Sequence, residues 1–322
     1  MKYRRLGRTG MEVSEIGFGA WGIGGAMWKG AEDKESLRAL HAAIDGGVNF
    51  IDTALVYGNG HSEQLVGEVV RERPERIHVA SKIPPKNFRW PSHGTLEEVF
   101  PSRHIVESVE HSLANLKIEC IDLIQFHVWN AAWLSNEAWF ETVQELRRQG
   151  KFTFFGVSID DHKPDSALEL VRSGKVDTVQ VIYNIFDQSP EDALFDACRE
   201  ADTGVIVRVP FDEGALTGKI TPETVFPPGD WRERYFAGDR KREVHERARQ
   251  LTELLGEEVE TLPELALRFC LHPVAVSTVI PGMRTTRHVA ANVSASDRPP
   301  LSPRTLSELR KHRWVRNFYP GD

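Results

Sequence analysis

Cysteine is scarce in this chain. The three cysteines among 322 residues, Cys120, Cys198 and Cys270, lie far apart in no metal-ligand or disulfide-framework spacing. That excludes a disulfide scaffold, and the thiols are expected to be reduced and to behave as small buried hydrophobes. Long apolar runs are missing as well. Nowhere do 18 apolar residues follow one another, so no segment reads as a spanning helix. The basic start, Met1-Lys-Tyr-Arg-Arg-Leu6, lacks the apolar stretch of a secretory leader. Positive charge is not in excess either: 40 Lys and Arg stand against 47 Asp and Glu, a net charge of −7. No global basic field therefore advertises nucleic acid or an anionic membrane as a partner. Finally, no G-x-G-x-x-G follows the first strand-like run. Gly17-Phe-Gly19 and Gly22-Ile-Gly24-Gly25 flank a tryptophan and lead into a loop, which weighs against a doubly wound dinucleotide-binding sheet. The expectation is a cytoplasmic protein with no bound metal and an open oligomeric state.

What is present is ordinary in amount, with 40% hydrophobic and 27% charged residues, and informative in order. Short apolar runs occupy residues 16–21, 48–54, 77–83, 121–127, 152–158, 176–183, 204–209 and 274–280. Most are too uniformly apolar for a one-faced sheet, as in Gly204-Val-Ile-Val-Arg-Val209, and so read as parallel strands covered on both faces. Amphipathic patterns lie between them. Leu37, Leu40 and Ile44 form one stripe, ended by Gly46-Gly47; Ile105, Val109, Leu113 and Leu116 form another; Phe140, Val143 and Leu146 form a third, ended by Gly150. Leu194, Ala197 and Cys198 begin a fourth, and residues 242–255 a fifth. Eight alternations without a linker predict an α/β chain folded as a single (β/α)8 barrel domain over residues 1–322. Residues 3–13 read as a hairpin turning at Thr9-Gly10 that plugs the barrel bottom. Residues 210–241, rich in Pro, Gly, aromatics and charge, read as a lid over the rim.

Polar residues gather at the C-terminal ends of the runs, where a barrel builds its active site: Asp52, Lys82, His127 and Ser158. Tyr57 follows Asp52 in a loop closed by Gly58-Asn-Gly60. Each alone has a plain structural explanation, as a turn residue, a snorkelling lysine or a packed ring. Together, on successive strands, Asp52, Tyr57, Lys82 and His127 aim at one point. A phenol beside an ammonium suits proton exchange with a carbonyl oxygen, because the cation favours phenolate. The aspartate holds the lysine, and the histidine can orient the substrate oxygen. None of these groups delivers hydride, so carbonyl reduction at this site implies a nicotinamide cofactor.

With these residues in place, the chain resembles the aldo-keto reductase family over nearly its whole length. The resemblance is carried by Leu6-Gly-Arg-Thr-Gly10, Gly17-Phe-Gly-Ala-Trp21, Asp52-Thr-Ala-Leu-Val-Tyr57-Gly, Ser62-Glu63 with Leu65 and Gly67, Ser81-Lys82, and Ile121-Asp-Leu-Ile-Gln-Phe-His127. It continues through Gly156-Val-Ser158, Gln180-Val-Ile-Tyr-Asn184, Gly214-Ala-Leu-Thr-Gly-Lys219 and Ile280-Pro-Gly282 to Asn292. It implies hydride transfer between NADPH or NADH and a carbonyl or alcohol, with Tyr57 as general acid/base. It also implies Gly19, Ala20 and Trp21 near nicotinamide and substrate, with Ser158 and Gln180 on the carboxamide. The stretch from Pro210 through Gly214, Leu216 and Gly218 to Lys219 would wrap the pyrophosphate. Ile280, Gly282, Arg284, His288 and Asn292 would meet the adenosine end.

The sequence departs from the family pattern in places. Ser158 is followed by Ile159 where many members have Asn, so one carboxamide partner is absent or supplied from elsewhere, with Asp160 as a candidate. Arg208 replaces a stacking tyrosine, and a planar guanidinium can stack in its place. NADP(H) is expected over NAD(H) only because Arg284, Arg287 and His288 could meet a 2′-phosphate. Trp21, Phe88, Trp90 and Trp129 would wall a substrate cavity, and the C-terminal stretch with Trp314, Phe318 and Tyr319 would fold over the rim. Aldehydes, ketones, sugars and cyclitols all remain open as substrates. Two other readings keep the fold: a redox-sensing regulatory subunit, and a cofactor-retaining eliminase or epimerase.

Overall fold

The computed structural model describes residues 1–316. Two short antiparallel strands, β1 (Tyr3–Arg5) and β2 (Glu12–Ser14), form the expected hairpin. Eight parallel strands follow: β3 (Phe18–Gly19), β4 (Phe50–Asp52), β5 (His78–Ile83), β6 (Ile121–Phe126), β7 (Phe152–Ser158), β8 (Thr178–Ile182), β9 (Gly204–Arg208) and β10 (Val276–Val279). Each pairs with the next in chain order. Parallel bridges Ile16–Val279 and Gly19–Gly282 join the two ends, so the sheet closes on itself. The eight apolar runs thus all became strands. The last run starts late, because Val274 is 88% exposed and the strand begins at Val276.

Strand alternation explains where the site lies. Phe50, Ala80, Leu123 and Ile206 point into the barrel and pack with Leu6, Met11 and Val13 of the hairpin region, which fills the bottom. Two residues further along the same strands come Asp52, Lys82, Gln125 and Arg208. The period of two therefore stacks a polar layer directly above an apolar one. Residues of opposite parity, such as Ile51, Val79, Ile124, Val179 and Val207, join the outer core shared with the helices. From the helices come Leu40 and Ile44 of the Asp33–Asp45 helix, Ile105 and Val109 of Ser102–Leu116, and Val143 and Leu146 of Ala138–Arg148. Full burial of each such side chain contributes about 1.5–3 kcal/mol.

The segment over the rim is ordered by named contacts. Residues 210–241 hold a 3₁₀ stretch, Asp212–Thr217, and a short helix, Trp231–Tyr235. The Trp231 amide donates to the Met27 carbonyl (2.7 Å), and the Lys29 amide donates to the Asp230 carboxylate (3.1 Å). Both partners lie in the loop after β3. At the C-terminal end, Trp314 donates its amide to the Phe186 carbonyl (2.7 Å) and packs on that ring, while Phe318 and Tyr319 lie outside the described residues. One expectation fails for the thiols: Cys198 and Cys270 are buried, which pushes Cys198 up to about 12, but Cys120 is exposed. It sits at the turn into β6, ahead of the first inward position. Among the described residues no helix is long and apolar enough to cross a membrane.

Candidate active site

Tyr57 reaches the barrel axis because its loop is tied down on several sides. The Tyr57 amide donates to the Ala54 carbonyl, and the Ser62 hydroxyl donates to the Ala20 carbonyl (2.9 Å) while sharing a 2.8 Å hydrogen bond with Thr53. Gly58 lies at φ +64°, with the Gly24 carbonyl only 2.1 Å from where a Cβ would be, so the tight crossing of these loops demands glycine there. The phenol is thereby delivered to Lys82.

The Lys82 ammonium has three acceptors for its three hydrogens: Asp52 Oδ2 at 2.5 Å, the Thr53 carbonyl at 2.8 Å and Tyr57 Oη at 3.2 Å. Lys82 is wholly buried and Asp52 nearly so. Burial alone would lower the lysine, but Asp52 and Tyr57 outweigh it and hold its pKa above the ordinary value. For the phenol the balance differs from expectation. Burial raises Tyr57 above 10, and although Lys82 pulls it down, the net displacement is upward. The phenol is therefore protonated through the neutral range. His127 stands edge-on to Tyr57 with ring centres 5.7 Å apart. Burial, followed by the charges of Lys82 and Arg208, drives it well below its usual value and keeps it neutral. Its Nδ1 is buried without a hydrogen-bond partner.

Sequence reading missed Gln125. Its amide donates to Asp52 Oδ1 (3.3 Å), and Gln180 donates both to that oxygen (2.7 Å) and to Gln125 Oε1 (3.4 Å). The signal available was a second polar residue, besides Asp122, inside the apolar run Ile121-Asp-Leu-Ile-Gln-Phe126, two before His127. This network narrows the way Gln180 can serve as a carboxamide partner. Both of its amide hydrogens serve the Asp52 cluster, which leaves its Oε1 as the atom able to meet a carboxamide. Ser158, buried beside it on β7, pairs with Gln180 in register.

Arg208 donates through Nη2 to the Ile159 carbonyl (2.8 Å) and to Asp161 Oδ1 (2.6 Å), which fixes the guanidinium at the rim. Asp160, the candidate carboxamide partner, instead spends Oδ2 on Ser92, accepting from its amide (2.9 Å) and hydroxyl (2.5 Å). Trp21 packs near Tyr57, Trp28 and Trp231 at 5.4 to 6.3 Å, and Trp90 stands 5.6 Å from His127, edge-on. These two tryptophans flank the Tyr57–His127 pair. Trp129 does not: its ring is 1% exposed, packed on Trp133 and Trp139, with its indole N–H donated to the Ser166 carbonyl. Large apolar neighbours outside the barrel drew it into the outer core. Phe88 projects into solvent at 63% exposure, on a loop tip with φ +52°.

The remaining positions surround the rim. Gly19 and Ala20 use their amides on the Pro281 and Asp52 carbonyls. Pro210 is buried, Gly214 and Gly218 adopt left-handed backbone, and Lys219 is exposed. Leu216 is fully buried, with its amide donated to Phe211, so its side chain faces the core. Ile280 belongs to the inner core, and the Asn292 amide reaches the Gly282 carbonyl (3.5 Å). Arg284 passes under the loop after β3 and donates to the Lys29 carbonyl (2.8 Å). Burial, then the charges of Arg284, Arg287 and Lys219, depresses His288. His288 itself is neutral there, not the cation expected.

The chain is similar to known proteins. The family model described as Aldo/keto reductase family matches residues 15–313. The aldo-keto reductase YhdN of Bacillus subtilis is 33% identical over 72% of this chain and 69% of its own length. The NADH-specific methylglyoxal reductase of Escherichia coli is 31% identical over 92% of this chain and 93% of its own. Among solved structures, a glycerol dehydrogenase from Gluconobacter oxydans superposes with a TM-score of 0.79 at 27% identity, covering 97% of this chain and 94% of that one.

Proposed function

The chain belongs to the aldo/keto reductase family of oxidoreductases, and from that premise we propose that it moves hydride between a nicotinamide dinucleotide and a small carbonyl or alcohol, with Tyr57 as general acid/base. The carrying observation is the single buried ammonium, Lys82, in contact with both Asp52 and Tyr57.

The residues present suit such a cofactor. The cations whose charges act on His288 match an anionic phosphate, Gln180 Oε1 and Ser158 can meet a carboxamide, and the left-handed Gly214 and Gly218 let the loop bend closely round a pyrophosphate. The bound dinucleotide supplies or accepts the hydride. Tyr57 Oη and one N–H of neutral His127 hold the substrate oxygen between them. As charge develops on that oxygen, Tyr57 donates its proton, and Lys82 stabilises the phenolate left behind. Asp52, fixed by Gln125 and Gln180, balances the lysine. In oxidation the phenolate takes the proton back. Trp21 and Trp90 exclude water from one side and offer flat apolar walls to an aldehyde, ketone, sugar or cyclitol.

The same cations favour NADP(H) over NAD(H), because a 2′-phosphate gains charge-assisted hydrogen bonds that a hydroxyl does not. Tyr57→Phe tests the central assignment. It should lower single-turnover hydride transfer by about 10²- to 10⁴-fold while cofactor affinity stays unchanged. Near-normal transfer would overturn the assignment. Net cofactor turnover with a panel of carbonyls also separates this reading from a regulatory subunit or a cofactor-retaining enzyme.

A further inference from the structure

One buried carboxyl near the site has no part in proton transfer. Asp160 is 7% exposed and follows β7 by two residues. Its Oδ2 takes both the amide and the hydroxyl hydrogen of Ser92, and its Oδ1 is buried without a hydrogen-bond partner. Ser92 lies two residues after Trp90, in the loop between β5 and the Ser102–Leu116 helix. Trp90 in turn presents its ring edge-on to His127. On the other side of Asp160, the Ile159 carbonyl and the Asp161 carboxylate both accept from Arg208. Residues 159–161 thus form a bridge from the barrel interior to the loop that carries Trp90.

We propose that Asp160 is a positioning residue for the substrate pocket: by clamping Ser92 it keeps the Trp90 ring against His127, and so sets how tightly a carbonyl substrate is held. The inference rests on the reading of the Tyr57–His127 face as the place of reaction. The physical case is a difference in bonding. Within the loop the contacts are short-range, Asn87 to the His93 carbonyl and the Arg89 amide to Asn87, while its two ties to the next loop, Trp133 Nε1 to the Gly94 carbonyl (3.2 Å) and Ser92 Oγ to the Trp129 carbonyl (3.3 Å), involve no charged group. The Asp160–Ser92 pair instead spans 68 positions in sequence and is held in a dry setting, where a carboxylate acceptor with two donors forms a strong tether. Phe88, four residues before Ser92, is 63% exposed and adds no packing anchor to the loop tip.

The test uses the full chain, methylglyoxal and glyceraldehyde as probe carbonyls, and hydrogen exchange of residues 84–95. Asp160→Ala should raise KM on the order of tenfold or more, the loss expected when a charge-assisted hydrogen bond is removed, with kcat within about twofold. Exchange in residues 84–95 should quicken while the barrel strands keep their protection, and NADP⁺ affinity should hold. Asp160→Asn keeps an acceptor oxygen for Ser92 and should restore both KM and exchange. It also covers the case in which the alanine variant folds poorly. Unchanged exchange in Asp160→Ala overturns the proposal, as does a loss confined to kcat, a parallel loss of cofactor affinity, or failure of Asp160→Asn to rescue. The exchange difference should persist in a Tyr57→Phe background, so an error in the chemical assignment is distinguishable from an error here.

Discussion

Lys82 Nζ and Asp52 Oδ2 stand 2.5 Å apart inside the barrel, on adjacent strands, with the lysine fully buried. A buried ion pair survives desolvation only when its remaining hydrogen-bonding capacity is met, and here Thr53, Tyr57, Gln125 and Gln180 meet it. Asp52→Asn should therefore destabilise the fold by about 3–5 kcal/mol, because it strands a buried ammonium. Adding Lys82→Met should recover much of that stability and none of the activity. Chemical denaturation of the two single variants and the double variant, with turnover measured beside it, checks both statements.

The pH dependence of the two directions should be opposite. Tyr57 is held above 10 by burial and His127 well below 6.5, so a protonated phenol and a neutral imidazole coexist through the neutral range. Reduction needs the phenol proton: its rate should stay level from neutral pH past the ordinary tyrosine value of about 10, then fall. Oxidation needs phenolate and should rise with pH over the same interval. Lys82→Met removes the cation that favours phenolate, so its alkaline limb should move higher still. Pre-steady-state transfer against pH, in both directions, would show an alkaline limb near neutrality if the phenol were instead a phenolate at rest.

Arg284 should decide between the two dinucleotides. Arg284→Ala removes one of the three cations whose charges act on His288 and should weaken NADP(H) by about 10- to 100-fold, the scale of a lost charge-assisted hydrogen bond. NAD(H) should weaken far less, with a remainder arising from the lost tie to the Lys29 carbonyl. Fluorescence titration with both cofactors measures the ratio. Equal losses, or a native preference for NAD(H), would refute the phosphate reading.

Gly19 closes the barrel against β10. A Cβ there would sit 2.5 Å from the Ile280 carbonyl, so the backbone itself would have to move. Gly19→Ala should cost about 1–3 kcal/mol, as overpacked sites do, and should shift Trp21 two residues away. Thermal melts and the near-ultraviolet circular dichroism of the aromatic cluster report the two effects. A variant with native stability and native aromatic signal would show that the closure is looser than its geometry.

The sequence by itself determined the eight strands, the plugging hairpin and the height of the polar layer. Those follow from local rules: an apolar run covered on both faces, a 3.6-residue stripe, and a period of two that carries Phe50 to Asp52 and Ala80 to Lys82. Tertiary structure decided what these residues do to one another. Gln180 turned its amide hydrogens to Asp52, and Gln125 joined it, because strands 73 and 128 positions away converge on that carboxylate. Trp90 and Trp129 follow the strands that carry Lys82 and Gln125, yet one stands edge-on to His127 and the other sinks among Trp133 and Trp139. The phenol's displacement above 10, against the pull of its own lysine, depends on how much water the closed barrel excludes. Periodicity is written residue by residue in the covalent chain, whereas burial and partnership depend on all eight strands at once.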